Sequence, residues 1–317
     1  MHTESGTNTF IYTYTCSDDE LSLCQMELRC LFGEQVPTAL FKSEVEVDVS
    51  RSPFIKERID VMYEGDSLPE IYDQTEQVEL GGKTFKVIFV KTNDLGPADK
   101  IEYDERRVIE REIGLRIEGE ADVNHPELVY GIVTLGGRWY FGSYHKNKAT
   151  WFRQMKKPRS YSIALSTRVA RAAVNMAIPN PEGIRAIDPC CGIGTVMVEA
   201  LSMGIDMVGR DINPMIATGA RTNIAHFGFT SEVTLGDIAD ITDHYDVAIV
   251  DMPYNLYSSI TPEEQFAILV NARRIADRVV IVAIEPMDEM ITEAGFTIID
   301  RCEAKKGAFS RHLMLCQ

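Results

Sequence analysis

Hydrophobic and polar positions divide the chain into two textures that meet near residue 150. In the first, short apolar runs alternate with isolated helical stretches. Residues 10–15 (FIYTYT) read as a strand, and 18–32 places Leu21, Leu23, Leu28 and Leu31 at helical spacing behind Ser17 and Asp18 as caps. Residues 44–49 (EVEVDV) alternate strictly, the pattern of a half-buried strand, and breaks near Gly65 and Pro69 follow. Gly81-Gly82 separates VEL from KTFKVIFV, a hairpin signal. Tyr103 to Gly114 reads as a helix stopped by glycine, and LVYGIVTL and RWYFGSY form a hairpin around Gly136-Gly137. These segments predict two small α+β modules, 1–62 and 63–148, and a linker over 149–161.

In the second texture, residues 162–178 predict a helix closed by Pro179. Strand and helix then take turns: IRAID, a helix from Thr195, DMVGRD, a helix from Asn213, EVTLGD, YDVAIVD, a helix from Thr261, and RVVIVAI. That alternation implies βαβ units and a parallel sheet covered on both faces. FTIID and RHLMLC, split by a glycine-containing loop, predict antiparallel strands closing the sheet. The expected class of 162–317 is doubly wound α/β.

Composition changes little in this picture. A chain of 317 residues that is 45% hydrophobic and 25% charged has material for a sizeable core. The seven cysteines are odd in number and form no CxxC pair, so neither a zinc site nor a disulfide framework is indicated. The histidines at 125, 145, 226, 244 and 312 show no ligand-like spacing, and no metal is expected. The N-terminal residues lack a basic segment followed by an apolar run, and no stretch of about 18 apolar residues occurs. The expectation is a cytoplasmic protein without a membrane span.

Charge does change it. The net charge of −16 opposes a polyanionic partner, yet Lys146 to Arg171 holds eight basic residues and no acidic one, leaving −24 elsewhere. A basic strip on an acidic body can guide a phosphate backbone while the remainder limits non-specific binding. A solvated basic face explains the same strip. Lys146, Lys148, Arg153, Lys156, Lys157 and Arg159 are the candidate nucleic-acid contacts. Trp151-Phe152, inside the strip, fits either a stacking surface or a buried anchor.

The candidate chemistry sits at the ends of the predicted strands. The first βα junction, Asp188-Pro189-Cys190-Cys191-Gly192-Ile193-Gly194-Thr195, is glycine-rich without being GxGxxG, a poor fit to a pyrophosphate. Asp188 would repel phosphate and favour a cationic ligand; S-adenosylmethionine carries an ammonium and a sulfonium and no phosphate. Asp211, 23 residues on, is placed to accept from ribose hydroxyls, with Ile212 beside it. Asp237, or the amide of its neighbour Ile238, can hold an adenine amino group. Each element alone reads equally as a turn or a helix cap. Their register at successive strand ends points to one cofactor site containing Asp188, Cys190, Gly192, Gly194 and Thr195 together with these later residues.

The fourth strand ends in Asp251-Met252-Pro253-Tyr254. An exocyclic aromatic amine is a poor nucleophile because its lone pair is delocalised into the ring. Two acceptors facing its N–H groups, the Asp251 carboxylate and the Met252 carbonyl, would turn that lone pair towards a methyl donor. Pro253 stiffens the turn, and Tyr254 offers a face for a flipped base. In isolation the tetrapeptide is an ordinary strand-ending turn; its position after the fourth strand favours catalysis.

DPCCGIGTVMVEAL and DMPYN, preceded by LSTRVARAAVNMA, resemble the THUMP-domain RNA methyltransferases, and among them the tRNA guanosine N2-methyltransferases of archaea and eukaryotes. The resemblance implies a Rossmann-like S-adenosylmethionine domain over 162–317, a THUMP-like RNA-binding module over 63–148 carried by VIEREIGLRIEGEADVNHPELVYGIVTLGGRWYFGSY, and a ferredoxin-like module over 1–62. It implies methyl transfer to the N2 amine of a tRNA guanosine. Met252 departs from the proline usual in this family, but the backbone carbonyl that the position supplies is retained. By the same resemblance Cys190 and Cys191 pack around the cofactor; a nucleophile or metal ligand is the competing reading. Alternatives are an amino methyltransferase for ribosomal RNA or DNA adenine, and an RNA-binding scaffold whose site has decayed.

Overall fold

The computed structural model describes residues 8–317 except 37, 93, 97–99, 161–163, 254–259 and 307–308. The chain forms two units: one takes in residues as far as Thr15, Val36–Ser50 and Phe54–Lys148, the other Cys16–Gln35, Arg51–Pro53 and Ala149–Gln317. No described helix is long and apolar enough to cross a membrane.

The first unit is built on β1 (Phe10–Tyr14), β2 (Leu40–Ser43), β3 (Ile55–Gly65), β4 (Phe85–Phe89), β5 (Leu128–Leu135) and β6 (Arg138–Lys146), with helices α2 (Leu68–Thr75) and α3 (Tyr103–Gly114). All six strands join one sheet in the order β2-β1-β3-β6-β5-β4. Ile71, Ile109 and Ile113 from the helices pack on Phe85, Ile132 and Phe141 of the sheet. The β5–β6 hairpin turns through Gly136 and Gly137 at φ +62° and +75°, the left-handed pair that a two-residue turn requires.

Four sequence expectations differ here. The boundary at 62/63 falls inside β3, and β3 pairs with β6, so the two expected modules share one sheet. Residues 44–49 form no strand. Their backbone is satisfied by side chains instead: the Tyr12 hydroxyl donates to the Val45 carbonyl (2.9 Å) and accepts from the Val47 amide (2.8 Å), and Arg58 donates to the Val47 carbonyl (3.0 Å). Alternation survives only as burial of Val47 and Val49. No hairpin forms at Gly81-Gly82 either, because β4 pairs in parallel with β5 and α3 makes the crossover. Pro69 stands in the first turn of α2 behind Ser67, where proline suits a helix start rather than a break.

The second unit contains α1 (Leu21–Phe32), α4 (Trp151–Gln154), α5 (Thr167–Ala177), β7 (Ala186–Asp188), α6 (Thr195–Ser202), β8 (Met207–Asp211), α7 (Pro214–His226), β9 (Val233–Leu235), β10 (Tyr245–Asp251), α8 (Pro262–Ile275), β11 (Ala276–Ala283), α9 (Asp288–Glu293), β12 (Ile298–Lys306) and β13 (Phe309–Cys316). Its seven-stranded sheet runs β12-β13-β11-β10-β7-β8-β9. The five strands from β11 to β9 are parallel, while β13 is antiparallel to both its neighbours. This is the expected Rossmann-like, doubly wound arrangement. The helix expected from residue 162 begins at Thr167, where the Ser166 hydroxyl accepts from the Val169 amide.

Ile249, Val250, Val280 and Ile281 are fully buried, as central parallel strands require. The chain leaves β7 towards β8 and β9 and later returns to β10 on the other side, so the switch point lies between β7 and β10. Open sheets bind ligands at the carboxyl ends of strands beside such a point.

Helix α1, expected in the first module, belongs to this unit. Arg29 makes two hydrogen bonds of 2.9 Å to the Asp300 carboxylate of β12. Fully buried Glu27 accepts from Asn175 of α5 (2.6 Å) and from the Ser52 hydroxyl (2.5 Å). Beside it Arg171 pairs with buried Glu199 at 2.8 Å. Polar and ionisable groups this deep persist only when paired or hydrogen-bonded, so this network fixes α1, α5 and α6 to one another.

Candidate active site at the strand ends

β7 ends in Asp188, whose Oδ1 accepts from the Cys190 amide at 3.3 Å and turns the chain at once. Gly192 and Gly194 follow at φ +54° and +75°. Gly194 caps α6, and a Cβ there would stand 3.2 Å from the Ala220 Cβ, so α7 packs directly on the turn. The next strand supplies the brace: Asp211 Oδ2 accepts from the Gly192 amide (2.9 Å) and Oδ1 from the Asn213 amide (2.8 Å). Each carboxylate oxygen has capacity for another donor. Beyond β9, Asp237 Oδ1 accepts from the Ala239 amide at 2.8 Å, opening a 310 turn at Ile238.

Asp251 ends β10, half-buried, with Oδ1 closed from solvent and without a hydrogen-bond partner among the described residues. The Met252 amide donates to the Val282 carbonyl at 2.9 Å, and its side chain, 1% exposed, joins the core with Leu269 and Ile291. Packing thus fixes a peptide that a proline ring would have stiffened. Gln265 of α8 donates to the Pro253 carbonyl at 3.3 Å. Tyr254 lies outside the described residues.

These pieces meet in one cavity of about 590 Å³. Asp188, Cys190, Gly192, Thr195, Asp211, Ile212, Asp237, Ile238, Asp251, Met252 and Pro253 all line it; Gly194 shapes the turn from behind. Sequence reading missed Ala164, Leu165, Glu264 and Asn271, which also line it. It also missed buried Asn223 of α7, which brackets the backbone of Arg159 (2.9 and 3.0 Å) and donates to the Ile193 carbonyl (2.8 Å). A buried amide in mid-helix was the available signal.

The electrostatics are one-sided. Five carboxyl groups and no Lys, Arg or His appear among the described lining residues. Burial pushes Asp251 up to about 7, and the Arg311 guanidinium of β13 pulls the other way. Met252 and Met314 belong to the core on one face of the sheet, so alternation puts Asp251 and Arg311 on the opposite face. Burial holds Asp188 well above the usual carboxylate range, reinforced by Asp251 and Asp211, and it raises Asp211 too. The Cys190 and Cys191 thiols are raised by burial and by neighbouring carboxylates, which disfavours a thiolate nucleophile.

The basic strip is divided between the units. Lys146 and Lys148 are exposed in the first; Arg153, Lys156 and Arg159 are exposed in the second. Lys157 is half-buried, with its ammonium 3.4 Å from the Thr167 hydroxyl, and burial lowers its affinity for the proton. Trp151 is buried and Phe152 exposed.

Residues 154–270, less than half of the chain, match a family model described as UPF0020, an RMKL-like methyltransferase domain. Among curated proteins, the tRNA (guanine(10)-N2)-dimethyltransferase of Methanothermobacter thermautotrophicus is 31% identical over 172 residues, covering 50% of each chain. The enzyme of the same name from Pyrococcus abyssi is 31% identical over 111 residues, a third of each. That from Methanocaldococcus jannaschii is 27% identical over 133 residues. The chain spans about half the length of the first of these relatives.

Proposed function

We propose that this protein is an S-adenosylmethionine-dependent RNA methyltransferase that modifies the exocyclic N2 amine of a tRNA guanosine. The observation that carries the reading is the Asp251 carboxyl, its Oδ1 closed from solvent and without a partner among the described residues, lining a cavity whose other carboxyls suit a cation. The name shared by the curated relatives supports the substrate.

The cavity fits the cofactor. Its carboxyls, with no described cation among them, oppose a phosphate-bearing ligand and favour an ammonium and a sulfonium. Bound there, S-adenosylmethionine would supply an electrophilic methyl. Asp188 would face the cationic end, Asp211 the ribose hydroxyls, and Asp237 with the Ile238 amide the adenine. Cys190, Gly192, Gly194, Thr195 and Ile212 would form the surface against which the cofactor lies.

Asp251 and the Met252 carbonyl would accept the two N–H bonds of the target amine. That fixes the nitrogen and frees its lone pair, so the gain comes from orientation and electrostatics. Asp251 would take the proton that the amine releases. Pro253 and Tyr254 would hold the extruded base.

The module reading is part of the same proposal, without a separate adaptor over 1–62: residues 63–148, which share one sheet with the strands before them, as a THUMP-like RNA-binding region, and 149–161 as a basic connection. Lys146, Lys148, Arg153, Lys156 and Arg159 would meet phosphates, while Lys157 is better suited to supporting α5. The proposed location is the cytoplasm, where tRNA is found. Methyl-labelled cofactor offered with tRNA, ribosomal RNA and DNA tests the assignment. Label in tRNA is expected; label in DNA alone would refute it.

A further inference from the structure

Trp151 and Phe152 open α4 inside the basic segment, and their environments are opposite. Trp151 is 3% exposed and Phe152 57%. The two rings are stacked, centroids 4.0 Å apart and planes 21° apart. The Arg168 guanidinium lies 5.5 Å from the Trp151 ring centroid and is itself held by Glu20 at 2.9 Å. Phe152 is therefore an aromatic plate set on a rigid base, with much of its surface in solvent. Met155, three residues on, is 58% exposed.

Phe152 covers Trp151 with one face and leaves the rest of its ring in solvent, whereas a packing anchor would place its ring inside, as Trp151 does. The charges nearby point to the occupant. Arg153, Lys156 and Arg159 are exposed, and no acidic residue occurs from Lys146 to Arg171. An aromatic face among cations is the combination that binds single-stranded nucleic acid, since every base has a π-face and every linkage a phosphate. A hydrophobic protein partner would leave three cations without a purpose.

The location serves the cavity. The backbone of Arg159 is bracketed by Asn223, which also holds the Ile193 carbonyl in the glycine turn. Six residues separate Phe152 from Arg159, at most about 25 Å of chain.

We propose that Phe152 is a base-stacking platform for an unpaired nucleotide of the RNA substrate, with Arg153, Lys156 and Arg159 holding the flanking phosphates. The proposal rests on the RNA-methyltransferase reading for its ligand and adds a contact that the catalytic site does not supply.

The test is binding of unfractionated tRNA to the full chain, which needs no turnover. Phe152→Ala should weaken Kd by about 5- to 150-fold, the equivalent of about 1–3 kcal/mol of stacking on one base. Phe152→Trp should restore it, and affinity for S-adenosylmethionine should not change. The dependence of log K on log salt should keep its slope in Phe152→Ala and lose about one unit in Arg153→Ala. Unchanged tRNA affinity in Phe152→Ala, or Phe152→Trp binding no better than Phe152→Ala, overturns the platform. Wild-type protein that binds tRNA through Phe152 but transfers no methyl would refute the enzymatic reading and leave the platform standing. Wild-type protein that binds no tRNA refutes both.

Discussion

Asp251 gives the sharpest prediction, because its chemistry depends on a proton that the fold makes easy to gain. With its carboxyl raised to about 7, the ionised fraction is about one tenth at pH 6, half at pH 7 and nine tenths at pH 8. In the proposed mechanism only the ionised form would offer acceptors on both oxygens and take the proton of the amine. The substitution Asp251→Asn keeps one acceptor in a side chain of the same shape but removes the ionisation, and kcat should fall about 10²- to 10³-fold, the loss typical of one preorganised group. Asp188 shares the cavity and also titrates upward. The diagnostic quantity is therefore the ratio of the apparent kcat/KM for S-adenosylmethionine, wild type over Asp251→Asn, measured with tRNA well below its KM so that the free protein is the titrating species. That ratio should climb about tenfold between pH 6 and 8, following the ionised fraction. The corresponding limb in kcat should lie at lower pH, because a bound sulfonium favours the carboxylate. A ratio that is flat across this range would refute the reasoning.

Other expectations follow from the same geometry. Arg311→Met removes the charge that opposes Asp251 protonation, so the limb should move to higher pH, and Arg311→Lys should move it less; identical profiles would remove Arg311 from the account. Glu27, raised from an ordinary 4.5 to about 7 by burial, keeps its proton in the folded state over a window where the unfolded chain has released it. Stability from this group is full below about 4.5 and is lost as pH rises through 7, by about 3 kcal/mol. Urea unfolding at pH 5 and 8 should show that loss in wild type and a flatter profile in Glu27→Gln. Gly194→Ala forces a side chain into left-handed backbone beside Ala220 and should cost about 1–2 kcal/mol, read as a lower Tm together with weaker cofactor affinity.

The second unit was legible in the sequence because its signals agree: apolar runs of strand length alternate with capped helical periods, and aspartates close β7, β8 and β10. The first unit was harder. EVEVDV has strand periodicity, yet the Tyr12 hydroxyl and Arg58 satisfy its backbone from across the chain, which no local pattern reveals. β3 carries Lys56, Glu57, Arg58, Asp60 and Glu64, so it lacks an apolar run although it pairs on both sides. Helix α1 was visible as a helix, but its attachment through Arg29 and Glu27 depends on residues some 150 to 270 positions away. In the site, strand-end residues could be found from spacing. Arg311 could not, since it enters from the last strand and faces Asp251 only through the sheet order.

The central claim is that Asp251 and the Met252 carbonyl direct the N2 amine of a guanosine in tRNA towards a methyl donor. Nucleoside mass spectrometry of tRNA treated with the purified chain and S-adenosylmethionine tests it directly. N2-methylated guanosine is expected with wild-type protein, and almost none with Asp251→Ala. Methyl groups on adenosine, or wild-type yield from Asp251→Ala, would contradict it.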